Sequence, residues 1–175
     1  MTSTQTALAA LVPEADGILD LVTSMGGDPR TEGVLSAHIT LVYPFIPMEL
    51  VSEAELTRLR EFFAAQPAFG GELVVGWFGR EVLLLVPADP APLNRLTQAV
   101  IDAWPDYPYY SGAYSEVEPH VTLAYGDEAS LCPMAERVEA MGAIPFSVSS
   151  IALCEGPKMQ VCCTFRLSAD VSVSA

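Results

Sequence analysis

Apolar positions change their period along this chain, and each change marks an element. From Thr6 to Val12 the run is almost wholly apolar until Pro13, which predicts a first strand. Glu14 to Met25 carries Ile18, Leu19, Leu21 and Val22 at helical spacing, with acidic residues in its first turn where they suit the helix dipole; Gly26-Gly27-Asp28-Pro29 stops it. His38 to Tyr43 is β-branched and aromatic, a strand ended by Pro44 and Pro47. Leu50 to Gln66 reads as an amphipathic helix, with Ser52 as N-cap, Glu55 three residues on, and Leu56, Leu59, Phe62 and Phe63 on its apolar stripe. Gly70-Gly71 reads as a turn, and Glu72 to Phe78 and Glu81 to Val86 as antiparallel strands joined at Gly79-Arg80. Pro90-Ala91-Pro92 opens a helix through Trp104 that carries Leu93, Leu96, Val100 and Ile101. Pro105 to Pro119 is a loop rich in Pro, Gly and Tyr (Tyr107, Tyr109, Tyr110, Tyr114), long enough to expect a functional role. A second β-branched and aromatic strand covers His120 to Tyr125, and a short helix Pro133 to Met141. Phe146 to Cys154 and Met159 to Leu167 read as a closing hairpin about Glu155-Gly156-Pro157-Lys158, and both chain ends read as frayed.

Two of these strands are copies of one another. His38-Ile39-Thr40-Leu41-Val42-Tyr43 returns as His120-Val121-Thr122-Leu123-Ala124-Tyr125, and the chain's 2 histidines each open one copy. On a strand, residues i and i+2 share a face, so His38 projects with Thr40 and His120 with Thr122, while Ile39, Leu41, Val121 and Leu123 face a core. By the same alternation Tyr43 and Tyr125 point away from the histidines unless the strand breaks or curls. An imidazole beside a hydroxyl can move a proton and hydrogen-bond a polar oxygen, and two such pairs face to face would flank one small anionic group. The copies begin at 38 and 120, 82 residues apart in a chain of 175, which suggests two related lobes about a cleft.

Charge and composition then limit the partners. With 51% hydrophobic and 17% charged residues, residues 1–175 are expected to form a single bilobal domain. The 22 acidic and 8 basic side chains give a net charge of −14, which disfavours long nucleic acid, whose non-specific binding rests on many cationic contacts. Any nucleotide is therefore expected to be small, or held by a few local donors. Arg30, in the loop before the first motif, is a candidate for reaching a phosphate, against the commoner role of such a residue as a surface arginine. Trp77 and Phe78 are candidates for stacking on a base, against the commoner role of strand aromatics as core. Neither motif places a carboxylate on its histidine face, so a dinuclear metal site is not expected. Cys132, Cys154, Cys162 and Cys163 lack zinc spacing and read as reduced thiols. Without a signal-like segment or an apolar run of about 18 residues, a cytoplasmic protein that neither spans nor binds a membrane is expected.

Two copies of His-x-Thr-x at near half-length spacing resemble the signature of the 2H phosphoesterase superfamily. The Tyr43-Pro44-Phe45 that closes the first copy, the Pro119 before the second, and the order of elements from about Thr6 to Leu167 are similar to its 2′-5′ RNA ligase-like branch. The resemblance implies an α+β fold: two pseudo-symmetric lobes of antiparallel sheet with outer helices around a central cleft. It also implies cofactor-free and metal-free chemistry on 2′,3′-cyclic phosphates or 2′-5′ linkages of a small nucleotide or RNA end. Carried over by residue, His38 and His120 are the catalytic pair and Thr40 and Thr122 hold the phosphate; from the reading of the residues themselves, Tyr43, Tyr125, Arg30 and Trp77 are further candidate substrate contacts. A monomer is expected. By reversibility the same pair serves ligation as well as hydrolysis, and a nucleotide-binding module with little turnover is the alternative outside catalysis.

Overall fold

The motif strands lie at the edges of two separate sheets. In a computed structural model describing residues 4–30, 36–112, 118–156 and 159–169, the described residues form two four-stranded antiparallel sheets. The first runs β2 (His38–Val42), β1 (Thr6–Leu11), β7 (Ser150–Glu155) and β8 (Gln160–Arg166). The second runs β5 (Val121–Tyr125), β4 (Val82–Pro87), β3 (Phe69–Phe78) and β6 (Ile144–Val148). In each sheet the histidine motif lies on an edge strand, paired antiparallel with the strand that precedes it in the sheet's chain order. The fold is thus α+β with two similar lobes, as the resemblance of the motifs implies. The lobes are not the halves of the chain, however, because the first sheet draws on both of its ends.

Four helices cover these sheets among the described residues: α1 (Asp16–Ser24), α2 (Glu53–Ala64), α3 (Ala91–Ala103) and α4 (Glu128–Glu139). Helix α1 leaves the first sheet and packs on β5 of the second, while α3 leaves the second sheet and packs on β2 of the first. Each lobe's helix therefore buttresses the other lobe's motif strand. Gly27 permits the α1 contact: a Cβ there would lie 2.5 Å from Val22 Cγ1 and 3.1 Å from Ala124 Cβ. One continuous core joins the lobes, with Leu8, Ile39, Leu41, Phe45, Leu85 and Leu123 fully buried in it. A small cluster of Ala9, Ala152 and Cys154 lies apart from it; burial pushes the Cys154 thiol up to about 11, so it packs there as a neutral small residue. No helix among the described residues is long and apolar enough to cross a membrane.

Three predicted elements differ from the fold. Gly70 and Gly71 are not a turn but lie within β3, paired with Ser147 and Phe146 of β6. A Cβ on Gly70 would sit 2.7 Å from the Phe146 carbonyl oxygen, so glycine here serves a close strand approach. Helix α4 starts five residues before Pro133, capped by Asp127, whose carboxylate accepts from Ser130 N at 2.8 Å. An interior proline costs about 3 kcal/mol, but Leu131, Met134 and Val138 are buried beneath the helix at about 1.5–3 kcal/mol each, which offsets it. The stretch Phe146 to Cys154 is two strands in different sheets, parted at Ser149: β6 is an edge strand and alternates, whereas β7 lies between β1 and β8 and is buried on both faces. Residues 1–3 and 170–175, Tyr114, the side chain of Tyr109, and Pro157-Lys158 of the closing turn lie outside the described residues.

Candidate active site

Each histidine is fixed by the same local device. His38 opens β2 with its Nδ1 3.2 Å from the Ser36 carbonyl oxygen, and His120, just before β5, has its Nδ1 2.7 Å from the Glu118 carbonyl oxygen. A carbonyl only accepts, so in each ring Nδ1 carries the hydrogen and donates it. That leaves each Nε2 as the exchangeable position. The Ser36 anchor is itself held: Asp16, the first residue of α1, accepts from Ser36 Oγ and from Ala37 N, both at 2.6 Å. Asp16 thus positions His38 through its neighbours. The sequence pattern showed it only as an acidic residue in a helix's first turn, because its partners lie 20 and 21 residues away.

His38, Thr40, His120 and Thr122 line one cavity of about 190 Å³, together with Arg30 and Tyr125. Burial pushes the His38 pKa below its ordinary 6.5; the Ser36 carbonyl opposes this, and the charge of His120 across the cleft adds to it. Such a ring is neutral at neutral pH, with Nε2 able to accept a proton. The unfolded chain binds that proton more readily, so His38 contributes stability that is present above pH 6.5 and lost as pH falls toward the native value. An NMR titration is expected to place His38 below 6.5 and, in His120→Ala, to move it upward while still below 6.5, since burial is the larger cause. A midpoint at or above 6.5 in the wild type would show that water reaches this ring freely.

The sixth motif position departs from strict alternation. Across β1, Ala9 pairs with Thr40 and Leu8 with Val42, so Leu41 has no partner; across β4, Leu84 pairs with Thr122 and Leu83 with Ala124, so Leu123 has none. Each motif thus carries a β-bulge at its fourth residue. The extra residue shifts the side-chain parity, so both Leu41 and Val42, and both Leu123 and Ala124, are fully buried. Beyond it the tyrosines return to the histidine side. Tyr125 lines the cavity with both histidines, and Tyr43 lines an adjoining cavity of about 270 Å³ with His38, Thr40, Tyr110, Gly156 and Met159.

The other candidate contacts divide. Arg30 has a left-handed φ of 55°, with its N–H donated to Asp28 Oδ1 at 2.8 Å, and its guanidinium lies 4.4 Å over the Tyr125 ring. The Asp28 carbonyl in turn accepts from Tyr125 N at 2.8 Å, which ties this loop to the second motif. Trp77 is not brought to the cleft: it lies on β3, two strands from β5, pairs with Leu83 of β4, and lines neither cavity. Phe78 lines neither cavity and is 59% exposed. Tyr110 comes from the Tyr-rich loop and stands edge-on to Tyr43 with ring centres 6.4 Å apart. Among the described residues no three His, Cys, Asp or Glu side chains converge to hold a metal ion.

Comparison with known proteins gives the family and the fold. The family model described as the 2′-5′ RNA ligase superfamily matches residues 23–157, a span that holds both motifs. Solved structures of similar fold include Escherichia coli LigT complexed with 3′-AMP (17% identity, 95% of this chain and 99% of that one, TM-score 0.57). TT0787 of Thermus thermophilus is similar at 21% identity, 94% and 98% coverage and a TM-score of 0.61. So is a chain described as a phosphoesterase, at 18% identity, 95% and 99% coverage and a TM-score of 0.56. No curated protein sequence matches the chain.

Proposed function

The chain belongs to the 2′-5′ RNA ligase superfamily, and from that premise we propose that it hydrolyses 2′,3′-cyclic phosphate or 2′-5′ phosphodiester bonds of a small nucleotide or RNA end. The observation that carries this reading is the meeting of both His–Thr pairs in one cavity, each ring anchored at Nδ1. E. coli LigT, of similar fold, crystallises with 3′-AMP and with NADP+, and a nucleotide is the ligand class that suits this cleft.

The reaction needs a proton taken from water as its oxygen attacks phosphorus, and a proton given to the ribose oxygen that leaves on the opposite side. His38, held neutral by burial, is suited to the first role at Nε2. His120, on the facing lobe, supplies the second proton from its own Nε2. The hydroxyls of Thr40 and Thr122 donate to the non-bridging oxygens, where negative charge grows in the transition state. All four groups sit on two sheet edges held by a common core, so they are placed before substrate arrives. After one turnover His38 carries the proton that His120 has lost, and exchange with water restores both.

The deciding assay supplies the four 2′,3′-cyclic nucleotides and a 2′-5′-linked dinucleotide to the folded protein with EDTA present. Turnover of at least one class is expected, unaffected by the chelator, with kcat/KM falling on the acid side below pH 6.5 as His38 is protonated. Folded protein that turns over none of them would sink the proposal.

A further inference from the structure

The two sides of the cleft are built alike but furnished differently. On each side the motif tyrosine meets a residue from the other lobe's helix-to-strand loop, and both of those residues hold a left-handed backbone: Arg30 at φ 55° over Tyr125, and Tyr110 at φ 43° beside Tyr43. Where one side has a guanidinium, the other has a second aromatic ring. Arg30 is the one lysine or arginine lining either cleft cavity among the described residues, and no acidic side chain among them forms an ion pair with it. In a chain of net charge −14 an arginine with no carboxylate partner among the described residues, lining an anion-sized cavity, is itself informative.

The size of the cavities adds a second argument. The 190 Å³ and 270 Å³ spaces each fall below the roughly 300 Å³ from which small-molecule pockets begin, and they share His38, Thr40 and Tyr110. A nucleotide that fills the cleft spans both. In a ribose the 2′ and 3′ oxygens form one edge; C1′, which bears the base, and C4′, which bears the 5′ carbon, flank that edge on opposite sides. With the 2′,3′ edge between the two His–Thr pairs, the base and the 5′ extension leave toward opposite lobes.

We propose that Arg30 binds a phosphate on the 5′ side of the nucleoside being cleaved, while the base enters the compartment of Tyr43, Tyr110 and Met159. This deepens the phosphoesterase reading and rests on it for the placement of the ribose. The aromatic compartment offers ring faces and edges and a polarisable thioether to a base; the Arg30 side offers a planar fork of donors to a phosphate. Arg30 thereby breaks the two-fold symmetry that would otherwise let a nucleotide enter in either direction, and the preferred substrate class is a nucleoside 2′,3′-cyclic phosphate carrying a 5′-phosphate.

The test compares adenosine 2′,3′-cyclic phosphate, its 5′-phosphorylated form, and a dinucleotide ending in the same cyclic phosphate, in wild type and Arg30→Gln. A charge-assisted phosphate contact corresponds to about a tenfold or larger preference in kcat/KM for the 5′-phosphorylated substrate, and in Arg30→Gln that ratio is expected to fall to about one. If only the mononucleotide gains, the 5′-phosphate must be terminal; if the dinucleotide gains equally, an internucleotide phosphate at an RNA end serves as well. Equal ratios in the two proteins, or an equal loss on all three substrates, would overturn the assignment. Calorimetry with adenosine 3′-phosphate and adenosine 3′,5′-bisphosphate reads the same contact without turnover. A bisphosphate preference that depends on Arg30 in a protein without turnover would keep the Arg30 site and remove the phosphoesterase reading; turnover with no such preference would do the reverse.

Discussion

Alanine in place of either cleft histidine is expected to lower kcat on the preferred substrate by about 10² or more, in a protein that stays folded. General acid or base catalysis is worth about 10²–10⁴, so the loss corresponds to roughly 3–5 kcal/mol of transition-state stabilisation. Both variants should lose alike, because the two proton transfers belong to one in-line displacement. For the same reason the double variant should be little worse than either single one, since groups that act as a unit are not additive. The substitutions remove half-buried side chains at sheet edges, so circular dichroism and the thermal midpoint should change little beside the kinetics. A tenfold or smaller loss in one variant would assign that histidine to binding and leave the proton transfer to water.

The largest expected effect on stability lies just outside the first motif. Phe45 is fully buried, stands edge-on to Trp104 at 5.9 Å and to Tyr107 at 5.5 Å, and its N–H is donated to the Thr6 carbonyl oxygen at 2.8 Å. It therefore ties β1, the end of the first motif and the C-terminal end of α3 into one contact. Phe45→Ala removes the ring and leaves a space that the surrounding strands cannot close, at a cost of about 3–5 kcal/mol. Set against a usual total of about 5–15 kcal/mol, that is a large share. Urea unfolding should show a lower midpoint with an unchanged slope. Phe45→Leu, which keeps most of the volume, should lose clearly less. A loss below about 1 kcal/mol for the alanine variant would mean that α3 and β2 are held together elsewhere.

The parts of the fold and of the site that could be read in advance are those whose causes are local. The Ser52 cap is one: its hydroxyl accepts from Glu55 N at 3.2 Å, three residues on, and the Ser-x-x-Glu spacing announces it. Gly79 is another, at φ 57° between two strands that the alternation already marked. The pairing of His38 with Thr40 and of His120 with Thr122 follows from the two-residue repeat of a strand, and their meeting was suggested by the duplication alone. Arg30 and Tyr110 could be named as loop residues beside the motifs, but no spacing rule says that each crosses to the other lobe's tyrosine.

Residue type and period were enough to set the element types, the two histidine–threonine pairs, the acidic balance and the expectation of a cleft between like lobes. The tertiary fold decided the rest. It assigned α1 to β5 and α3 to β2, split Phe146 to Cys154 between two sheets, and brought Asp16 to the backbone that carries His38. It also placed a bulge in each motif and so turned Tyr43 and Tyr125 back toward the histidines. A strand's alternation is a property of its own backbone, whereas a bulge is a mismatch with a neighbour's register. Contacts of that kind depend on which strand lies alongside, and that is chosen by burying apolar area across the whole chain rather than by any six residues within it.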